Sequence, residues 1–146
     1  MKFITLKLLA LGVVVGVGLP VLVVNAHYLT LDTPYRGTGY TLMIVVSAGV
    51  AAGLLAGLAA RGGLAVAKAI RPAGERNPSA PLVLGSVLGA TFVGTPLLGI
   101  PLALLAWMPH PLVAFALVAA AFAAAFGVAT YLWVRPRATQ ASLALP

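Results

Sequence analysis

Residues 77–134 read NPSAPLVLGSVLGATFVGTPLLGIPLALLAWMPHPLVAFALVAAAFAAAFGVATYLWV, a run of 58 positions without an acid, a lysine or an arginine, bounded by Arg76 and Arg135. One helix crossing the hydrocarbon layer needs about 20 mostly apolar residues, so the run holds two crossings and a turn. The turn falls at Trp107-Met108-Pro109-His110-Pro111, where two prolines flank a polar residue and oppose helix continuation. Working outward, 24 uncharged residues separate Lys7 from Asp32, and another 24 separate Arg36 from Arg61. The pattern predicts four spans near 6–25, 39–61, 81–106 and 111–134 in one membrane domain. Outer loops at 26–38 and 107–110, a cytoplasmic loop at 62–80 and a cytoplasmic tail at 135–146 complete it.

Only helices and closed barrels satisfy every backbone group in hydrocarbon, and continuous apolar runs lack the alternation of barrel strands. The expected fold class is therefore an all-α integral membrane protein, a four-transmembrane-helix bundle of two helical hairpins. Composition agrees: 62% of the 146 residues are hydrophobic, 8% are charged, and the mean hydropathy is +1.09. A water-soluble domain of this size buries only about two-thirds of its unfolded surface, which excludes a soluble enzyme. The absence of cysteine excludes disulfides, thiolate metal sites and iron–sulfur ligation.

Eight of the nine basic residues fall on one side: Lys2, Lys7, Arg61, Lys68, Arg71, Arg76, Arg135 and Arg137, with Arg36 alone opposite. The positive-inside rule then places both termini and the middle loop in the cytoplasm of an inner-membrane protein. Tyr28, Tyr35, Tyr40 and Trp107 fall at the outer interface, Tyr131 and Trp133 at the inner one. A pI near 10.7 here reflects topology and headgroup contact through Arg61, Lys68, Arg71 and Arg76, not nucleic-acid binding. A competing reading takes the start as a secretory signal cleaved near Val24-Asn25-Ala26. The apolar stretch from Leu8 to Val24, 17 residues, is long for that purpose.

Lipid tails do not drive helices together, so small residues that admit close backbone approach mark the contacts. Gly12 and Gly16, then Gly49, Gly53 and Gly57, then Gly85 and Gly89, repeat at a spacing of four. Ala116, Ala120 and Ala124 do the same in the fourth span. Each set shares one helix face. The third span also carries Thr91, Gly94, Thr95, Pro96 and Pro101, a group that predicts a kink or a broken helix lining a polar cavity. Gly62-Gly63 either stops the second helix or lets it continue to Ile70.

Chemistry has few places to sit. No ionisable group lies in the middle of a span, which weakens proton-coupled transport. The polar residues inside, Ser47, Ser86, Thr91, Thr95 and Thr130, are explained by back-bonding to their own helices. His27, His110 and Asp32 share the outer face and are the candidate ligands for a metal or haem, provided their atoms converge. No catalytic motif is present. The leading expectation is a non-enzymatic accessory or assembly subunit, without cofactor, packing into a larger membrane complex or its own copies. The alternatives are a channel, holin-like pore or transporter component, and a haem- or quinone-associated redox subunit.

Because the chain lacks cysteine, single cysteines report sidedness directly. Asp32→Cys is expected to react with a membrane-impermeant maleimide in intact cells, and Glu75→Cys only after permeabilisation; the reverse pattern inverts the topology.

Overall fold

A computed structural model describes residues 2–30, 38–70, 79–105 and 110–143, with side chains at 3–26, 42–70, 79–104 and 110–134. Among the described residues all regular structure is helical: α1 (Lys2–Thr30), α2 (Thr38–Ile70), α3 (Ser79–Leu105) and α4 (Pro111–Leu143). Each is long and apolar enough to cross a membrane, over Phe3–Ala26, Leu42–Ile70, Ser79–Leu104 and Pro111–Val134.

The helices are longer than the sequence pattern alone predicts. α2 does not stop at Gly62-Gly63 but runs to Ile70, shortening the connection expected over 62–80. The reason lies on α3: Gly63 packs backbone to backbone against Gly85, so tertiary contact offsets the helix-weakening cost of glycine. α1 extends through Pro20 to Thr30, taking in part of the segment expected as loop 26–38. α3 is continuous through Pro96 and Pro101, so the broken-helix form of the third span is not what the chain adopts. α4 opens with Pro111 in its first turn, where a missing N–H costs nothing. There the Val113 N–H donates to the His110 carbonyl at 3.0 Å.

Consecutive helices run antiparallel, since rising residue numbers on one meet falling numbers on the next. Gly12 and Gly16 face Gly53 and Gly49; Gly63 and Ala59 face Gly85 and Gly89; Gly94 and Gly99 face Phe122 and Phe115. The start of α1 and the end of α4 therefore lie at the same end of the molecule. There the Lys7 ammonium stands 5.6 Å from the centroid of the Trp133 ring, a cation–π contact joining α1 to α4.

One core runs through all four helices. Leu8 from α1, Ala52, Ala56 and Ala60 from α2, Ala90, Leu98 and Leu102 from α3, and Ala114, Val118, Phe122 and Phe126 from α4 form a continuous buried cluster. Large apolar side chains also point outward, among them Phe3, Val14, Met43, Leu88, Phe92, Leu104 and Leu112. Apolar surface all round a helix is the pattern of a membrane span and not of a helix facing water.

Candidate functional site

The features with specific geometry are the helix contacts themselves, and they are of two kinds. At the first two interfaces backbone meets backbone. A Cβ added at Gly12 would collide with the Gly53 carbonyl oxygen, and one at Gly53 with that of Gly12. Gly16 and Gly49 are reciprocally related in the same way. One turn on, a Cβ at Gly57 would stand 2.7 Å from the Leu8 carbonyl oxygen and 3.0 Å from the Leu9 Cα. Approach this close brings Cα–H groups onto carbonyl oxygens, a weak attraction recurring at helix–helix contacts.

Pro20 deepens this contact. It lies fully buried inside α1 and has no N–H, so the carbonyl of Gly16, four residues back, lacks its helical donor. That same Gly16 oxygen is the atom seated against Gly49. The α1 face is thus Leu8, Gly12, Gly16, Pro20 and Val24, a buried row with a spacing of four. α2 presents a second close approach to α3, through Ala59 to Gly89 and Gly63 to Gly85.

The α3–α4 contact works by filling. The Phe122 ring lies over Gly94, 2.8 Å from where a Cβ would stand, and the Phe115 ring lies over Gly99 at 2.7 Å. Phe122 and Phe126 stack with centroids 6.0 Å apart and an interplanar angle of 29°. The α4 residues buried here are Ala114, Val118, Phe122, Phe126 and Thr130, again four apart. Ala116, Ala120 and Ala124 lie on the other side of α4 and are exposed.

The internal hydroxyls divide three ways. Ser47 donates to the Met43 carbonyl at 2.8 Å, and Thr91 donates to the Val87 carbonyl at 2.7 Å, both back-bonding to their own helices. Thr130 departs from that expectation: its hydroxyl donates across to Ser86 Oγ at 2.9 Å, with both residues buried. Thr95 departs too, its Oγ1 buried without a hydrogen-bond partner. With Leu88, Gly89, Thr91, Phe92 and Pro96 it lines an open depression of about 700 Å³. Among the described residues all six that line it belong to α3, a hollow on one helix flank.

Among the described residues no three His, Cys, Asp or Glu side chains group to hold a metal. His110 is exposed at the start of α4; Asp32 and the His27 side chain lie outside the described residues. Of the cations expected at headgroups, Arg61 and Lys68 are exposed on α2, while Arg71 and Arg76 fall outside the described residues. No protein-family model, curated protein or solved structure gives a significant match to this chain.

Substitutions separate these contacts. Gly53→Val places a branched side chain against α1 backbone and is expected to cost about 3 kcal/mol or more, the upper range for overpacking. Gly62 has open space where its Cβ would be, so Gly62→Ala is expected to gain up to about 1 kcal/mol of helix propensity. Both are read from unfolding in mixed micelles. In the same assay Thr130→Val is expected to lose about 0.5–1.5 kcal/mol, the range for an interhelical hydrogen bond in a membrane. Thr95→Val loses no bond and is expected to stay within about 0.5 kcal/mol of the parent.

Proposed function

We propose that the chain is a four-span bundle in the inner membrane, both termini cytoplasmic, acting as a non-catalytic accessory or assembly subunit. The observation carrying this reading is the α4 row Ala116, Ala120 and Ala124. The glycine-based rows on α1, α2 and α3 are used against a neighbouring helix of the same chain, whereas this row faces outward with the same four-residue spacing. A small-residue face admits close approach by a further helix, belonging to a larger membrane subunit or another copy. The interior supports the reading as well, being taken up by backbone contact and aromatic filling.

The alternative of a pore or transporter component draws on the unpaired Thr95 hydroxyl beside Pro96. The unbroken course of α3 and the one-sided hollow favour the accessory reading. The redox alternative rests on His27 and His110, and a Soret band in the purified protein would carry it. Mild-detergent purification followed by native mass spectrometry is expected to yield the chain in a stoichiometric assembly. Ala120→Trp is expected to disperse that assembly without lowering the thermal stability of the single chain. A parent protein that stays monomeric in detergent and in nanodiscs overturns the reading.

A further inference from the structure

We propose that Lys7 and Trp133, at one end of the α1–α4 seam, form a seat for the phosphate of an anionic phospholipid. The inference rests on the membrane reading and adds to it a specific ligand site. Lys7 lies inside the first apolar segment, Phe3–Ala26, one residue from Leu8, which is buried against Gly57. An ammonium at that depth is stable only if it reaches the headgroup layer. Helical side chains lean toward their own N-terminus. Lys7 therefore leans toward the start of α1, while Trp133 leans back along α4 away from its end. The two meet, 5.6 Å from ammonium to ring centroid.

Among the described residues the protein does not supply the anion. Antiparallel packing sets Lys7 on α1 and Arg61 and Lys68 on α2 toward this end. Among the described side chains there is no carboxylate at all. A lipid phosphate fits what is present. The ammonium has three donors and the indole N–H a fourth, and the apolar body of the indole lies against acyl chains. α1 touches α4 far less than it touches α2, so this seam is the less closely packed one. Lipid is favoured over an acidic protein segment because Lys7 sits within an apolar span, where a peptide carboxylate would be stripped of water without acyl chains to fill the seam.

The test uses the full chain in vesicles, with Trp107→Phe leaving Trp133 as the sole tryptophan. Brominated phosphatidylglycerol and brominated phosphatidylcholine are compared as quenchers in separate preparations at equal mole fraction. The anionic lipid is expected to occupy the seat about fivefold more readily, the factor one basic residue is worth at an anionic surface. Lys7→Gln is expected to abolish the preference and Lys7→Arg to keep it. Equal quenching by the two lipids, in protein that floats with the vesicles, overturns the seat and leaves the membrane reading standing. Preference for an added acidic peptide over brominated anionic lipid overturns it in favour of a protein partner. Protein that fails to float with the vesicles overturns both readings together.

Discussion

Helices surrounded by hydrocarbon gain nothing by hiding apolar side chains from lipid that is equally apolar, so their association depends on how closely their backbones can approach. In this chain that distance is set by glycine. Gly12 and Gly16 on α1 and Gly49 and Gly53 on α2 leave no room for even a methyl group between the two main chains. α2 repeats the arrangement on α3 through Gly63 and Gly85. The central helix is thus clamped on two faces by contacts that any side chain would push apart. The extension of α2 to Ile70 follows from the same contact.

The α3–α4 half obeys the same need for dense packing by a different means. Gly94 and Gly99 are clefts, and Phe122 and Phe115 fill them. Ser86 and Thr130 add a hydrogen bond in the same buried row. The two halves divide the work: backbone contact makes α1, α2 and α3 a tight layer, and aromatic filling binds α4 to it. The Lys7–Trp133 contact joins the first helix to the last.

The four long apolar helices were legible because charge is missing from their middles and gathers toward their ends, a signal carried by each residue separately. The α1 and α2 faces were legible for a related reason, since glycine spaced by four is a local pattern that needs no knowledge of the partner. The α4 face was not. Alanine occurs all round that helix, and the row buried within the chain is Ala114 to Thr130, while Ala116, Ala120 and Ala124 face outward. What selects the buried row is pairwise size matching, a phenylalanine on α4 opposite a glycine on α3, and the pairing appears only once the helices are set in register. The Thr130–Ser86 bond was hidden for the same reason, and Gly62-Gly63 gave no hint that α3 would support it. The histidines and Asp32 offered only residue types, and Asp32 and the His27 side chain lie outside the described residues.

A ladder of evenly spaced glycines has a further property: it resembles a rack with interchangeable teeth. α1 offers two glycines to α2 and α2 offers three, so sliding α1 by one turn would still set glycine on glycine, Gly12 on Gly57 and Gly16 on Gly53. The glycines therefore grant intimacy without choosing alignment. Alignment comes from the residues bracketing them. In the observed setting Leu8 closes over Gly57; after the slide it would cap Arg61 and press a guanidinium into the seam. Arg61, one turn beyond Gly57 on α2, thus stands against ratcheting of the first helix along the second.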